Sequence, residues 1–488
     1  MMSPRDVARR PEAALFAMAL GASAYFFQGG GWNQNSRFNL VRSIVEQHTI
    51  VVDDYVHNTG DIAVRDGHYY CDKAPGVSIL ALPVYAAVHP FAGGQRPRGR
   101  LVNAGAYLAT VWAVSLPSAL AVVMLYQLAL TIGASPAAAA AIALAYAFGT
   151  LALPYSTLFY GHQLAAAVLI LAFGLLARAR HQAIPFSAGR LFAAGILLGA
   201  GVAVEYPGAL GLVAIGLYAA AVVRPRPRLL WLAAGAAVPG LALAAYHTAA
   251  WGSPLLLPGH FSNDPPRHRG AFMGITWPSA DLAGKILFSQ TRGLFRHAPW
   301  LMLWLPGVIL LARRPRFRAE AAACALVPLM YLWFNSSLTT SPTDWRAGWG
   351  IGPRHLVAAL PFFALGVAAL FASVDATRRR ITWAAFAALA GYSAALMLVA
   401  TAVRPEVPTW YDRPFGEYLF PSFRNGQLAV NTIPIHTGFI HEQRQAWNLG
   451  EKLGLTGLAT LLPLAAYLAA TAAWLISTLR PQRTETTS

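Results

Sequence analysis

Apolar segments close to the length of a membrane-spanning helix recur along almost the whole 488-residue chain, and no other feature restricts its fold as strongly. They lie near residues 12–28, 101–132, 137–158, 162–180, 190–205, 208–223, 229–250, 297–313, 319–335, 354–374, 381–402 and 453–478. A helix needs about 20 apolar residues to cross the hydrocarbon core, where each backbone polar group has to be satisfied within the segment. The expectation is an all-α polytopic membrane protein of about twelve transmembrane helices, forming one domain over residues 1–488. Charge agrees: 12% of residues are charged, against roughly 25% in a soluble domain. The first run follows Arg5, Arg9 and Arg10 and shows no clear cleavage site, so it reads as a retained signal anchor.

The formal net charge of +17 would suggest nucleic acid for a soluble chain. Here the arginines cluster in short connectors, RARHQ, RPRPR, ARRPRFR, ATRRR and LRPQR, between apolar runs. Positive connectors stay cytoplasmic, and with the N-terminus inside, twelve spans put every one of them there. The chain is therefore expected in the bacterial inner membrane, with membrane lipids and not nucleic acid as its surroundings. The run at 77–94 would reverse that parity if it crossed, so it is expected to lie on the outer face as an interfacial helix. The alternative is that it crosses and that 101–132 holds two passes. Four polar segments, 30–76, 251–296, 335–353 and 403–450, then share the outer face, where a site belongs.

The first of these segments contains NTGDIAVRDGHYYCDKAPG (58–76). Lysine is scarce, with Lys73, Lys285 and Lys452 standing against 34 arginines, so a lysine beside Asp72 and ahead of a Pro-Gly break is conspicuous. SRFNLVRSIVEQ has the apolar spacing of an amphipathic helix, TIVVDDY reads as extended, and RDGHYY reads as a hairpin turn with His68 and Tyr70 beside it. Asp53, Asp54 and Asp61 are candidate general bases, while Asp66 belongs to the turn and Asp72 is expected to pair with Lys73. The plainer reading is a solvated loop whose lysine merely reaches the lipid headgroups. Elsewhere His162 opens an apolar run, Glu205 sits between two runs in VEYPG, and Arg354 and His355 follow GIGP. Arg354 and Arg292 suit a phosphate. The two cysteines, Cys71 and Cys324, lie at different depths and imply neither disulfide nor metal cluster. Asp264 with His260 and His268 hints at a metal, but the spacing fits no specific pattern. WYDRPFGEY (410–418) is aromatic and acidic, suited to stacking on a sugar or to an interfacial belt. Nucleotide-binding, HExxH and GxSxG motifs are missing, no cofactor is called for, and a divalent metal stays open.

These pieces resemble the GT-C superfamily of polyprenyl-phosphate-dependent glycosyltransferases, in the branch of protein mannosyltransferases and aminoarabinose transferases. QNSRF (34–38) stands where that family has Asp-Glu-x-Arg-Tyr, and GHYYCDKAPG (67–76) where it has Gly-x-x-Tyr-x-x-Lys-Pro-Pro. WGSPLLLPGHF (251–261), TRGLFRHAPWL (291–301) and GWGIGPRHLVAALPF (348–362) resemble its loop-to-span junctions. The resemblance implies a GT-C-like fold with a helical first periplasmic loop, a polyprenyl-phosphate sugar donor, and a glycan, lipid or protein acceptor at the periplasmic face. It implies that Lys73 contacts the lipid-linked phosphate. The family's acidic pair does not carry over, because Gln34 and Asn35 hold its places, and Gly161 or His162 holds that of its second acid. Two other functions stay open: a transporter or lipid flippase, and a non-catalytic scaffold on the same fold.

Overall fold

A computed structural model describes residues 10–92, 100–261, 275–338, 346–374, 376–432 and 444–480. The apolar runs form helices. In chain order the main ones are α1 (Pro11–Ala24), α2 (Trp32–Gln47), α3 (Gly76–Val88), α4 (Asn103–Thr131), α5 (Pro136–Phe148), α6 (Gly161–His181) and α7 (Ala188–Val204). They continue with α8 (Gly208–Val222), α9 (Arg226–Trp251), α10 (Pro299–Ala312), α11 (Pro315–Ser336), α12 (Arg354–Phe371), α13 (Arg379–Val403) and α14 (Gly457–Leu479). Ser135 and Ser187 cap α5 and α7 by accepting the backbone N–H of Ala138 and Arg190.

Seven helices, α4, α6, α9, α11, α12, α13 and α14, are long and apolar enough to cross a membrane. The other five that coincide with expected spans have 13 to 17 residues, short of the ~20 a crossing needs. The expected count of about twelve thus exceeds what helix length supports. The run at 137–158 shows why: α5 stops before Gly149, and only the short helix Ala152–Ser156 follows. α4 runs unbroken through a π turn at Val111–Ser115, so 101–132 does not hold two passes. α7 and α8 pair around Glu205 as the sequence suggests. α6 and α12 are the most enclosed helices, and α9 and α14 lie at the rim.

The two ends of the bundle differ chemically. At one end Arg316 donates to the backbone carbonyl of His181, Arg314 to that of Ile132 and Arg228 to that of Phe186, which gathers three of the arginine-rich connectors, RARHQ, RPRPR and ARRPRFR. Each of the four expected outer segments contributes to the opposite end. There Arg65 donates to the carbonyl of Ala250, Arg292 to that of Arg346, Thr291 to that of Asp412, and Asn431 to that of Gln28.

The first loop enters through a short strand, β1 (Phe26–Phe27), and then forms α2. β2 (Ile62–Arg65) and β3 (His68–Cys71) make the expected hairpin, in register from Ile62 opposite Cys71 to Arg65 opposite His68. Its turn has φ of 52° at Asp66 and 81° at Gly67, the conformation an Asp-Gly pair tolerates. β4 (Trp447–Asn448) pairs with β1. TIVVDDY is not extended throughout: Asp53 and Asp54 open a 3-10 turn, Asp53–Asn58. The reason is local, since Asp53 accepts from the Tyr69 N–H and from the His68 ring, which bends the chain back onto the hairpin. α3 follows the hairpin and packs on α2, where Ser78 donates to the carbonyl of Arg37.

Candidate active site

The site begins with α2, whose polar side chains are buried although the helix lies in a loop. Arg37 is 1% exposed. It donates to Asn33 Oδ1 at 3.0 Å, to the Ala74 carbonyl at 2.8 Å and to Glu205 Oε1 at 2.7 Å. A buried guanidinium requires such partners. The bonds to Ala74 and Glu205 tie α2, the segment after Lys73 and the turn between α7 and α8 together. Glu205, a candidate from the sequence, is therefore the charge partner of Arg37.

Above this clamp opens a cavity of about 250 Å³, lined by Trp32, Asp61, Lys73, Tyr160, Trp349, Arg354 and Glu406 among others. Three residues singled out in the sequence, Asp61, Lys73 and Arg354, thus meet in one space from two distant parts of the chain. Lys73 Nζ lies 3.0 Å from Asp61 Oδ2 and 2.9 Å from Asp72 Oδ2. Burial alone would favour the neutral amine, but the two carboxylates outweigh it and hold Lys73 above its ordinary range, so it is an ammonium. Among the described residues Arg354 donates one hydrogen bond, to the Trp349 carbonyl at 3.2 Å. Its Nε is buried without a partner, and no carboxylate pairs with it among the described residues. The backbone before it turns through positive φ at Gly348, Gly350 and Gly352, which lets the loop fold closely over Tyr155 and Leu151.

Glu406 was not singled out in the sequence. It follows α13, is 2% exposed, and accepts from the Tyr160 hydroxyl, the Asn431 amide and, at 2.8 Å, Gln34 Nε2. The Gln34 amide nitrogen also lies within hydrogen-bond distance of the carbonyls of Gln28 and Gly30, which share its two protons with Glu406, and its oxygen accepts from the Phe159 N–H. The position that holds an acid in the resembled family is thus an amide fastened to a carboxylate from elsewhere. Burial pushes the Glu406 carboxyl above the usual range, although Tyr160, Asn431, Gln34 and Arg404 pull it back. A side chain at Gly31 would collide with it, since an added Cβ would fall 2.2 Å from Oε1. The signal in the sequence is slight: one acid between two prolines, RPEVP, at the end of an apolar run.

The remaining candidates lie around the cavity. Asp53 and His68 form a partly exposed pair at 2.7 Å that braces the hairpin, and Asp54 is exposed and accepts from Gln47. Neither aspartate lines the cavity. Tyr70 packs against Trp251 with ring centroids 5.3 Å apart. His162 and His355 stand edge to face at 5.1 Å beside Glu205, whose Oε1 is 3.6 Å from His162 Nδ1. Arg292, 3% exposed, spends its guanidinium on the carbonyls of Arg346 and Gly348, and so fastens the loop that carries Trp349. Among the described residues no group of His, Cys, Asp and Glu is arranged to hold a metal ion, and Asp264 and His268 lie outside them.

No family model and no curated protein matches the sequence. Solved structures do. The archaeal oligosaccharyltransferase AglB from Archaeoglobus fulgidus, in complex with an inhibitory peptide and a dolichol-phosphate, is similar over 88% of this chain at 13% identity and a TM-score of 0.50. The match covers 61% of that chain, so this protein spans less than two thirds of AglB's length. ArnT from Cupriavidus metallidurans, bound to undecaprenyl phosphate, aligns over 96% of this chain and 74% of its own, at 15% identity and a TM-score of 0.46. At such identities the AglB likeness shows fold alone. The chain is an all-α membrane protein of GT-C-like fold, as the resemblance in the sequence implies.

Proposed function

We propose that the protein is a membrane glycosyltransferase that moves a sugar from a polyprenyl-phosphate-linked donor to an acceptor. The AglB structure of similar fold is in complex with a dolichol-phosphate, which agrees with this reading. The observation that carries it is Arg354, a guanidinium with no acidic partner among the described residues, facing the same cavity as the ammonium of Lys73. Two cations facing one cavity suit an anion. An ammonium has three protons, and with two directed at Asp61 and Asp72 the third serves a phosphate oxygen. As the bond from sugar to phosphate breaks, negative charge grows on the phosphate, and Lys73 with Arg354 stabilises it. Asp61 and Asp72 keep Lys73 charged and in place. Trp32 and Trp349 line the cavity and give it aromatic surface suited to a sugar. The arginine-rich end is assigned to the cytoplasm, which puts the cavity at the periplasmic face of a bacterial inner membrane and leaves α3 in the interface there. About twelve membrane-embedded helices, five of them too short to cross unaided, complete the arrangement.

The test is binding of undecaprenyl phosphate to purified protein in detergent, followed by transfer from a panel of polyprenyl-phosphate sugars. Lys73→Ala and Arg354→Ala are expected to weaken binding, each about tenfold or more, the equivalent of ~1.4 kcal/mol. Wild-type binding by both variants would overturn the phosphate site. Binding without transfer from any donor would make the protein a scaffold or a lipid carrier.

A further inference from the structure

We infer that Glu406 is the group that takes the acceptor's proton during transfer, an inference that rests on the glycosyltransferase reading above. Two carboxylates, Asp61 and Glu406, line the cavity, and their surroundings separate their roles. Asp61 is bound to an ammonium 3.0 Å away. A cation at that distance stabilises the carboxylate and makes it a weak base. Glu406 has no ion-pair partner among the described residues, and its donors, Tyr160, Asn431 and Gln34, are all neutral. A buried carboxylate held by neutral donors gains more from accepting a proton than an ion-paired one does.

The geometry allows for that gain. Gln34 and Asn431 both donate to Oε2, while among the described residues Oε1 takes only the hydroxyl of Tyr160, itself a lining residue. One lone pair of Oε1 therefore stays available. The Tyr160 hydroxyl can also turn from donor to acceptor when Glu406 becomes protonated, so the acid form keeps a partner. The amides fix the carboxylate plane, and Gly31 packs against the carboxylate with no side chain to displace it. None of these groups is needed to hold a phosphate, which Lys73 and Arg354 serve.

In the step itself an acceptor hydroxyl oxygen forms a bond to the anomeric carbon. The bond from that carbon to the phosphate oxygen breaks, and its electron pair leaves with the lipid phosphate. The hydroxyl proton passes to Oε1 of Glu406, which returns it to water once the product departs. The acceptor class this suits is an alcohol, as on a sugar, a lipid headgroup or a hydroxylated side chain, because a carboxylate suffices for an O–H.

The experiment compares Glu406→Gln, Glu406→Asp and Asp61→Asn with wild type in undecaprenyl phosphate binding, thermal stability in detergent, and transfer rate from pH 4 to 9. Glu406→Gln keeps all the neighbours but cannot accept a proton. It is expected to bind undecaprenyl phosphate as wild type does and to lose about 10²–10⁴-fold in transfer. Wild-type transfer is expected to fall on the acid side as Glu406 protonates, with a midpoint above the ordinary carboxylate value. Charged or titratable groups facing Glu406 are Tyr160 before α6, Tyr155 from the short helix Ala152–Ser156, Arg404 on its own segment, and Asp61, Lys73 and Arg354 in the same cavity lining. Glu406→Asp should retain part of the rate and shift that acid limb, which a merely structural carboxylate would not do. Asp61→Asn should instead weaken lipid-phosphate binding. Near-wild-type transfer by Glu406→Gln, or an unmoved acid limb in Glu406→Asp, would overturn the inference. Should Glu406→Gln fail to fold, the acid limb of Glu406→Asp decides alone. Intact phosphate binding with no transfer by wild type would fell the glycosyltransferase reading, and this inference with it.

Discussion

Glu205→Ala is the sharpest probe of how the site is held. Arg37 is 1% exposed and makes bonds to Asn33, Ala74 and Glu205, of which the 2.7 Å bond to Glu205 is the charge-bearing one. Removing one partner of a buried ion pair typically costs ~3–5 kcal/mol, because the surviving charge stays in a poor solvent. Two neutral acceptors remain for Arg37, and Glu205 is 15% exposed in its side chain, so the low end, about 3 kcal/mol, is expected. Replacing both residues with apolar ones, Arg37→Met with Glu205→Leu, should recover much of that loss, since no charge is then left stranded. The effect should reach ligand binding, because the Ala74 carbonyl that Arg37 holds follows Lys73 directly in the chain. The assay is unfolding in mixed micelles with rising SDS, alongside undecaprenyl phosphate binding. The reasoning fails if Glu205→Ala stays within about 0.5 kcal/mol of wild type, the range of an ordinary surface change. It fails equally if the double variant loses as much as the sum of the two singles.

Further outcomes follow from the same contacts. Lys73→Ala should lower undecaprenyl phosphate affinity about ten- to hundredfold, from the ~1.5–3 kcal/mol of a charged hydrogen bond, and Lys73→Arg should restore part of it. Arg292→Ala should destabilise by about 1–3 kcal/mol, because the carbonyls of Arg346 and Gly348 lose their donors, and unfolding in SDS would reveal it. Asp53→Asn should keep full transfer and cost stability only slightly, since it still accepts from the Tyr69 N–H; a hundredfold loss of rate would return Asp53 to the chemistry. Single cysteines labelled from outside the cell should react at position 54 and stay silent at position 379, and the reverse would invert the topology.

Much of this architecture is legible in residue order because its cues are local. Helical spacing marks α2, Asp66 and Gly67 mark the hairpin turn, and a rare lysine at an apolar junction marks Lys73. Arg354 is visible for the same reason, as a cation placed after glycines and proline at the start of an apolar run. Span number is less legible, since hydropathy does not register where a helix stops. α1 ends where Phe26 and Phe27 pair with Trp447 and Asn448, and α5 ends at a turn inside a continuous apolar run. Contacts across the chain are not legible at all. Glu406 matters through Gln34, 372 positions away, and Glu205 through Arg37, 168 positions away. Nothing near either acid announces its partner. Asp53 looked like a base in a row of acids, and its place in the hairpin follows only once His68 and Tyr69 are folded against it.

The central claim is that one cavity holds a lipid-linked phosphate between Lys73 and Arg354. A structure of the purified protein with undecaprenyl phosphate tests it most directly. The phosphate is expected within hydrogen-bond distance of both Lys73 Nζ and the Arg354 guanidinium, with the polyprenyl chain leaving towards the membrane. A phosphate bound elsewhere, or a cavity that stays free of lipid while the protein transfers sugar, would contradict it.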